Sequence, residues 1–513
     1  MERILPLLVA IPLGAAFIIP VFGLIRRVRP CGYVALLATA VLVALSVRLL
    51  GADGTVVTWI GGWSPEKATG IAMVADGLTR LMLLVVNVVS FAAVLFALSY
   101  MKPYTKVGLF YSPLMVMIAG MNGIVASGDL FNIYVFVEVA AIASYALVGF
   151  GVESEELEAS FKYLVMSAVA SAFILLGIGI LFNLTGTLNL AQIAVLAEGL
   201  RDNKAFWFAC AMFLCGFGLK AAMVPFHAWL PDAHPAAPAP VSAMLSGVLI
   251  KASGVYVLAR LVFNVMGVST PVAHVLIAMG ILSMVVGVML AVGQWDFKRL
   301  LAYHSVSQMG YVVLALGVGA EVLARPADFA RASTLASLAI FGGLFHLANH
   351  AVFKSLLFLA SGSVVHRTGT RDLKELGGLG QKMPVTSLCA RIGALSISGV
   401  PPFNGFFSKL LIIVAVVWAG HLFLGGLTVL VSFVTLLSFT KVQRYLIEGE
   451  LPARYSEVRE SPLPMLLAMC LLAVLCVGLG VLVFVYRYEL LDPATQALSS
   501  GLGYARSVIP SGG

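Results

Sequence analysis

Long apolar runs, separated by short polar gaps, follow one another along almost the whole chain. Because an α-helix needs about 20 mostly apolar residues to cross the hydrocarbon core of a bilayer, each run of that length predicts one transmembrane helix. The pattern predicts an all-α polytopic membrane protein with about 14 transmembrane helices. The runs lie at about 4–25, 32–50, 78–100, 112–127, 130–150, 163–183, 206–223, 241–263, 272–292, 300–318, 334–361, 386–418, 421–443 and 463–486.

Prolines interrupt the pattern at two places. The stretch FGLKAAMVPFHAWLPDAHP places Pro225 and Pro231 directly after the run 206–223, and GVPPFNGFF places Pro401 and Pro402 inside the run 386–418. A proline removes a backbone donor and clashes with the preceding helical turn. The backbone groups that such a break frees are tolerated at membrane depth only where protein or water surrounds them. The sequence therefore predicts two broken helices beside an ion or substrate site.

Composition and charge support a membrane protein and exclude several other classes. Of 513 residues, 60% are hydrophobic and 11% are charged, and the mean hydropathy is +1.01. The formal charge of +8 comes from basic residues in the short polar gaps, which is typical of membrane topology rather than of a nucleic-acid-binding face. The stretch GGLGQK lacks the spacing of a phosphate-binding loop, so ATP is not expected as the energy source. The six cysteines form no CxxC pair, so no iron–sulfur or zinc site is predicted.

The basic residues are unevenly distributed between the two sides of the predicted helix bundle. If the helices alternate in direction, the richer side should be cytoplasmic, which places both termini outside. The run 4–25 ends in arginines rather than at a small-residue cleavage site, so it is expected to be a retained helix. The richer side carries Arg26, Arg27, Arg29, Lys102, Lys106, Lys298, Arg299, Arg367, Arg371, Lys374, Lys382, Lys441, Arg444, Arg454 and Arg459, and the poorer side carries Lys67, Arg201, Lys204, Arg325 and Arg331.

Five charged residues fall well inside the predicted spans. A lysine at the centre of a membrane helix is roughly 2.5–3.5 kcal/mol unfavourable on insertion scales, so each of these residues is a functional candidate. Arg80, Arg260 and Arg391 lie nearer to helix ends, where a long side chain is expected to reach the membrane surface. The five central residues are Glu138, Lys220, Lys251, Lys354 and Lys409.

Glu138 is predicted to form a buried ion pair with Lys220 or with Lys162. The proton affinity of such a pair depends on the distance between its members. A change in that distance would bind or release a proton, as a pump requires. The alternative is a structural carboxylate that ties two helices together.

Three titratable residues stand on one face of a later helix. His346, His350 and Lys354 follow one another at i, i+4 and i+8, a spacing that stacks them along one helix face. We favour a proton relay; packed histidines or a metal bound by the HxxxH pair are alternatives, although no third ligand is evident. His304 adds a polar group at membrane depth, while His234 lies beyond the first break, where a role in a loop is the alternative.

Several stretches resemble the antiporter-like membrane subunits shared by respiratory complex I, the Mrp sodium/proton antiporters and the membrane-bound hydrogenases. They are VFVEVAAIASYALVGF, LKAAMVPFHAWLPDAHPAAPAPVSAMLSGVLIKASGVY, LLAYHSVSQMGYV, HAVFKSLLFLASGSV and GVPPFNGFFSKLLI, between about residues 70 and 445. The resemblance implies two inverted five-helix repeats in which helices 7 and 12 are broken. It divides the chain into N-terminal helices at 1–111, repeats at 112–263 and 264–443, and a C-terminal helix with its tail at 444–513.

The resemblance also implies roles for the five central charges. Glu138 corresponds to the family's glutamate on helix 5, and Lys220 corresponds to its lysine on helix 7. Lys251 and Lys354 correspond to the connecting lysines on helices 8 and 11. Lys409 occupies the terminal site on helix 12, where some members of the family have glutamate.

The same resemblance places His304, His346 and His350 on a central hydrophilic axis. It implies a proton- or Na⁺/H⁺-translocating subunit in a prokaryotic cytoplasmic membrane, with lipid, other membrane subunits and further antiporter-like chains as partners. No cofactor is expected in this chain; iron–sulfur clusters or flavin would belong to partner subunits. The chain ends soon after its fourteenth predicted helix, without the long lateral helix of the largest complex I member, so it resembles the shorter subunits. The stretches NHAVFK and AYHSVSQ favour Mrp D-type or hydrogenase-type complexes over conventional complex I.

Two other classes of function remain open. A stand-alone carrier for a small metabolite would need convergent polar groups in one pocket, whereas the charges here are dispersed along the chain. A structural subunit with a vestigial channel would not need all five central charges. The favoured hypothesis is that protons move along these charges and the histidines, with the Glu138–Lys220 pair as the gate of one half-channel.

Overall fold

The computed structural model describes residues 1–24, 29–63, 70–104, 107–325, 329–501 and 503–509. Helices make up most of this part of the chain, which confirms the predicted all-α fold. Of the basic residues used to assign the two sides, Arg26, Arg27, Lys67 and Lys106 lie outside the described residues. The helices are α1 (Ile4–Leu24), α2 (Arg29–Leu50), α3 (Gly77–Tyr100), α4 (Val107–Ala126), α5 (Leu130–Val148), α6 (Ser154–Thr185), α7 (Leu190–Ala197), α8 (Lys204–Lys220), α9 (Leu230–Ala236), α10 (Ala239–Val265), α11 (Thr270–Val292), α12 (Phe297–Ala324), α13 (Phe329–Thr368), α14 (Pro384–Ser398), α15 (Asn404–Trp418), α16 (Leu422–Val442), α17 (Leu463–Val481), α18 (Val483–Ser499) and α19 (Gly503–Val508).

Within the described residues, twelve helices are long and apolar enough to cross a membrane. The predicted runs 206–223 and 386–418 are not among them, because a break follows the short helix of the first run and divides the second run into two helices. The first gives α8 with 17 residues followed by α9 with 7, and the second gives α14 and α15 with 15 residues each. The twelve spans and the two broken helices together correspond to the fourteen predicted runs.

The ends of the bundle are defined by contacts between the connecting segments. We call the end at which α1, α3 and α5 begin the amino-terminal side; there a short hairpin pairs β1 (Val56–Trp59) with β2 (Ala72–Ala75), and Met73 bridges to Ser127. The other end is the opposite side, where Asp296 bridges to Asp372. The hairpin was not predicted, because two four-residue strands leave little trace beside the long apolar runs.

Several helices extend beyond their predicted runs into polar sequence, α6 and α13 the furthest. α6 begins at Ser154, well before residue 163, because Glu153 and Glu156 form a capping box at its N-terminus. α13 has 40 residues, which exceeds the predicted run 334–361 at both ends. Hydropathy marks only the part of a helix that is apolar, so capped polar turns at the ends are missed.

The first break separates α8 from α9. Pro225 lies in the intervening segment, while Pro231 lies in the first turn of α9, where a missing N–H is tolerated. The Trp229 indole Nε1 donates to the Leu219 carbonyl oxygen at 3.1 Å. A side chain from the break thus binds a carbonyl at the end of α8, which also accepts from the Ala222 N–H at 3.0 Å.

The second break separates α14 from α15 and contains Pro401 and Pro402. Gly399 ends α14 with a φ of 77°, a left-handed conformation that glycine adopts readily. The Lys409 ammonium group donates to the Ile397 carbonyl oxygen at 2.8 Å. Both predicted breaks are therefore present, and in both a side chain binds a backbone carbonyl of the helix that ends there.

The helix that carries Lys251 is both enclosed and distorted. All of α10 is buried, and three π-helical segments interrupt it at Leu245–Leu249, Lys251–Tyr256 and Leu261–Val265. Such wide turns occur often at functional sites. Here the Lys251 ammonium group donates to the Ser246 carbonyl oxygen at 2.5 Å.

Candidate functional site

The carboxylate of Glu138 meets the ammonium group of Lys220 between α5 and α8. Lys220 Nζ lies 3.3 Å from Glu138 Oε1 and 2.6 Å from Ser167 Oγ. Ser171 donates to the same glutamate oxygen. The Lys220 side chain is 5% exposed and that of Glu138 is 28% exposed. Of the two lysines considered as partners of Glu138, Lys220 makes the contact.

A small cavity adjoins this pair. Its volume is about 10 Å³, which corresponds to the space that one water molecule occupies. Lys220, Ser167 and Tyr163 line one part of it, and Ile250 and Ser253 of α10 line another. The cavity therefore connects the ion pair to the helix that carries Lys251.

Lys162 lies apart from Glu138, the carboxylate with which it was considered to pair. Its side chain is 49% exposed and binds Glu158 at 2.8 Å and Asp232 at 3.2 Å. Arg299 of α12 binds Asp232 as well. The helical register of α6 turns Lys162 outward, so this lysine belongs to an ionic network on the opposite side that joins α6, α9 and α12.

Lys251 and Lys354 are completely buried near the middle of the bundle. Lys251 binds the Ser246 carbonyl of its own helix. Lys354 Nζ has no hydrogen-bond partner among the described residues and lies 5.7 Å from the centre of the Phe358 ring. Beside them, Ser246 of α10 and Ser305 of α12 share a hydrogen bond of 2.7 Å. Within the part of the chain that the structure describes, the two lysines thus have hydroxyl and aromatic neighbours but no carboxylate contact.

His346 and His350 of α13 differ in their contacts. His346 Nδ1 is 2.9 Å from Ser408 Oγ of α15, and its Nε2 is 3.2 Å from Gln308 Oε1 of α12. His350 is completely buried, and neither of its ring nitrogens has a hydrogen-bond partner in the described ranges. His346 therefore joins three helices through hydrogen bonds, whereas His350 is held by packing.

Two further predicted residues lie along the second half of the chain. His304 Nε2 is 2.8 Å from Ser438 Oγ on α16. Lys409 Nζ is 3.1 Å from Ser432 Oγ and 5.0 Å from the centre of the Tyr311 ring. Each of these buried side chains therefore bridges α16 to another helix of the second half.

The sequence analysis undervalued His234 and placed Lys298 wrongly. His234 is completely buried, has no hydrogen-bond partner in the described part of the chain and stacks on Phe358 at 4.7 Å, on the ring that also faces Lys354. Lys298, predicted as a loop residue, is buried and donates to the Ala237 carbonyl oxygen at 2.6 Å. The position of His234 beside the first break was the one sequence feature that indicated a functional role. Lys298 lies in a polar gap, so nothing in the sequence indicated that it would be buried.

The arrangement is suited to moving protons. Histidine and hydroxyl groups both donate and accept hydrogen bonds, and they stand between the buried lysines. Within the described part of the chain, no group of three or more His, Cys, Asp or Glu side chains gathers as metal ligands do. Both ring nitrogens of His346 already have partners.

Comparison with known proteins identifies the family. The profile described as NADH:quinone oxidoreductase/Mrp antiporter, transmembrane, matches residues 127–435, which is more than half of the chain. The chain belongs to this family. A second profile, described as the N-terminus of NADH-ubiquinone oxidoreductase (complex I) chain 5, matches residues 66–111.

Individual relatives agree with this membership. The chain is 34% identical over 468 residues to NADH-quinone oxidoreductase subunit N of Desulforudis audaxviator, covering 88% of this chain and 89% of that protein. It is 32% identical over 450 residues to the D-type Na⁺/H⁺ antiporter subunit of Alkalihalophilus pseudofirmus, covering 87% of each. The structure matches a chain of the Mrp complex from Dietzia sp. DQ12-45-1b with a TM-score of 0.88, 28% identity and 99% of both chains covered. The resemblance of the motifs is confirmed: this is an antiporter-like, multi-pass membrane subunit.

In this antiporter-like subunit, Gly405→Ala is expected to displace α15 from α14. A Cβ atom at Gly405 would lie 1.8 Å from the Ser396 carbonyl oxygen, so the backbone must move. Overpacking of this kind costs about 1–3 kcal/mol, and the complex purified in mild detergent should unfold at a lower temperature. Gly426→Ala in α16 is the control, since no described atom lies within 4 Å of its added Cβ. Equal melting temperatures for the two variants would contradict the expectation.

Proposed function

We propose that this subunit moves protons, alone or in exchange for Na⁺, along a line of buried basic residues. The line begins at the Glu138–Lys220 pair and continues through Lys251 and Lys354. The histidines of α13 connect it to Lys409 beside the second break. Glu138 would act as the gate, because Lys220 contacts both this carboxylate and Ser167, and a change in the Glu138–Lys220 distance changes how tightly the pair holds its proton.

The proposal rests on four buried basic residues that have no carboxylate partner within the described part of the chain. Lys251, Lys354, His234 and His350 are all completely buried, and none of them forms an ion pair with a carboxylate among the described residues. An uncompensated buried charge costs several kcal/mol. The line of buried basic residues is therefore stable only when some of its side chains are neutral. A proton on this line can then be bound by any of several lysine or histidine side chains. Apolar residues would build a more stable core, which favours a transport role for these groups over a structural one.

The hydrogen bonds between the charged groups support the same function. The Ser246 and Ser305 hydroxyls form a hydrogen bond in which either can donate, and His346 contacts a hydroxyl on one ring nitrogen and an amide oxygen on the other. Groups of this kind accept a proton on one side and donate one on the other. These side chains would bind a proton between lysines that are not in contact with each other.

The relatives suggest the setting of the subunit. Two are named as subunits of a Na⁺/H⁺ antiporter and of an NADH-quinone oxidoreductase, and the matching structure is that of an Mrp complex. We place this chain in the cytoplasmic membrane of a prokaryote, surrounded by lipid, beside other membrane subunits that include further antiporter-like chains. Both termini would lie outside, and any iron–sulfur cluster or flavin would lie in partner subunits.

Purification of the tagged chain in mild detergent, with mass spectrometry of the co-purifying proteins, tests this setting. Hydrogenase or quinone-reductase subunits would make it the ion-translocating part of a redox enzyme. Membrane subunits alone would make it part of an Mrp-type exchanger. A monodisperse chain without partners would contradict membership of a complex and favour the metabolite carrier.

The geometry at the ion pair argues against the carrier. The cavity beside Lys220 has a volume of about 10 Å³, whereas pockets for small organic ligands occupy about 300–1,000 Å³. The polar groups of the line are also spread over α5, α8, α10, α12, α13 and α15 rather than gathered around one space. A proton requires neither a large cavity nor converging groups.

Lys354→Met tests the proposed function directly. Methionine keeps the apolar length of the side chain and removes its titratable group, so coupled proton movement should fall at least about tenfold, equivalent to about 1.4 kcal/mol or more on the barrier. A pH-sensitive dye in vesicles that contain the assembled complex provides the measurement. The control is Lys374→Met, which removes an exposed lysine that lies over the Trp295 ring. If both variants move protons at the same rate, the line of buried basic residues does not conduct protons.

A further inference from the structure

A cluster of four ionisable side chains lies on the amino-terminal side, away from the buried line. Glu321, in the last turn of α12, is buried although it is a carboxylate. Its Oε2 accepts a hydrogen bond of 2.7 Å from His421 Nε2. Its Oε1 accepts from Arg325 and lies 3.5 Å from His274 Nε2 of α11. Among the described side chains, these three are the ionisable groups in contact with Glu321.

His421 is attached rigidly to the end of α15. Gly420 follows this helix with a φ of 96°, and its N–H donates to the Val417 carbonyl at 3.0 Å. The His421 N–H donates to the Val416 carbonyl at 3.1 Å. These two bonds form a Schellman motif, which closes a helix and fixes the residue that follows it. Any movement of His421 relative to α12 is therefore also a movement of the end of α15.

Arg325 provides a second attachment between the same two helices. Besides binding Glu321, its Nη1 donates to the carbonyl of Ala419 at 3.4 Å, and Ala419 is the residue that caps α15. The last turn of α12 thus holds the end of α15 twice, once through a backbone carbonyl and once through the imidazole of His421.

The helix held in this way carries Lys409 nearer its other end. Ten residues separate Lys409 from Ala419, about 15 Å along a helix. Ile412 and Val416, in between, belong to an apolar cluster with residues of α12 and α13. Ser408, the neighbour of Lys409, also contacts His346. No contact among the described residues joins the ionisable cluster to the buried line, and α15 is the helix that connects the two.

We propose that Glu321 and His421 form a proton-responsive clamp that sets the position of α15, and with it Lys409, according to the pH on the amino-terminal side. This proposal rests on the proposed role of Lys409 in transport. Histidine changes its charge near physiological pH, and a hydrogen bond between charged groups is roughly twice as strong as one between neutral groups. Protonated His421 holds Glu321 tightly, and neutral His421 holds it less tightly. Arg325 pairs with the same buried carboxylate independently of His421.

His421→Gln is the deciding variant, because glutamine keeps an N–H donor and loses the titration. Coupled transport is measured in vesicles that contain the assembled complex, while the pH on each side is varied separately between about 5 and 8. We expect His421→Gln to keep at least half of the wild-type maximum rate and to lose at least half of the dependence on amino-terminal-side pH. Glu321→Gln should flatten the same profile. His274→Gln is the matched control: its side chain is 59% exposed and lies 3.5 Å from the carboxylate, so the wild-type profile should remain.

Lys409→Met in the same vesicles separates the two proposals. If this variant is inactive at every pH and His421→Gln reproduces the wild-type profile, the clamp is wrong and the transport role stands. If Lys409→Met transports normally, the transport role of Lys409 is wrong and the clamp falls with it. Should Glu321→Gln fail to assemble, His421→Gln alone decides, since it leaves the Glu321–Arg325 ion pair in place.

Discussion

Lys220→Met should reduce coupled proton transport by the assembled complex to less than about one hundredth of the wild-type rate, equivalent to about 2.7 kcal/mol on the barrier. Methionine fills the same apolar space but removes the ammonium group that lies 3.3 Å from Glu138 Oε1 and 2.6 Å from Ser167 Oγ. Glu138 then has no cation to exchange a proton with. The measurement is proton uptake into vesicles, normalised to the amount of complex that contains all its subunits.

The control for this substitution is Lys162→Met. Lys162 is the other lysine that the sequence offered as a partner for Glu138, yet its side chain is 49% exposed and binds Glu158 and Asp232. Exposed ion pairs contribute about 0–1 kcal/mol, so transport should remain close to the wild-type rate. A transport defect of equal size in both variants would mean that the buried pair has no special role.

A double variant tests whether Glu138 and Lys220 act as one unit. Residues that share one interaction show strongly non-additive effects. Glu138→Gln combined with Lys220→Met should therefore transport no worse than Lys220→Met alone. If the two losses multiply, the residues act at separate steps and the proposed gate is incorrect.

Asp76→Asn should cause the largest loss of stability. Asp76 forms a bidentate ion pair with Arg260, with Nη1–Oδ2 and Nη2–Oδ1 distances of 2.5 and 2.8 Å. Both residues are buried. Asparagine retains the cap on the Thr79 N–H of α3 but leaves Arg260 without a counter-charge. Removing one partner of a buried pair costs about 3–5 kcal/mol, so the complex should melt at a lower temperature in detergent or fail to assemble.

The pH dependence of this pair follows from the Asp76 carboxyl. Burial alone would raise the pKa of Asp76, but the Arg260 guanidinium and the Thr79 N–H outweigh it and keep the pKa below its usual range. A lowered pKa in the folded state means that the carboxylate stabilises the protein at neutral pH. That contribution is lost only as the pH falls through the lowered value.

Two comparisons make the stability prediction specific. Asp76→Asn together with Arg260→Met removes both charges, and the stability should recover in part. Glu448→Gln breaks the exposed ion pair with Arg391, in which the N–O distance is 3.4 Å and both side chains are more than 40% exposed; it should cost less than about 1 kcal/mol. If Asp76→Asn is no worse than Glu448→Gln, the buried pair is not a main source of stability.

Arg260 shows where sequence reasoning about charge was wrong. Arg80, Arg260 and Arg391 were expected to extend to the membrane surface. Arg80 does reach the loop that follows α2, and Arg391 is 44% exposed, but Arg260 is buried. Arg80 donates to the Ala52 carbonyl at 2.7 Å, and Arg260 binds Asp76, which lies 184 residues away in sequence. A residue near a helix end reaches water only when no partner is packed against it, and those partners come from distant parts of the chain.

His234 and Glu321 show the same limit. His234 follows two prolines and reads as a loop residue, yet α9 turns its ring inward against Phe358 of α13. Glu321 lies near the end of a predicted span, where a carboxylate is expected to face water. Its contacts with His274 and His421 form only because the ends of α11, α12 and α15 meet. In each case the sequence contains the residue but not its neighbours.

The number of membrane crossings, the two breaks and the central charged residues could all be read from the amino-acid sequence. These features are local: a span is recognised from its apolar length, a break from its prolines, and a charge in an apolar run by the free energy of placing it there. Only the tertiary structure decided which charges are paired. Lys220 meets Glu138 across 82 residues, and His304 meets Ser438 across 134, while Lys354 meets no carboxylate among the described residues. Such distances depend on how separate helices pack, because hydrogen bonds and ion pairs act over a few ångströms and the chain reaches that proximity only after it has folded.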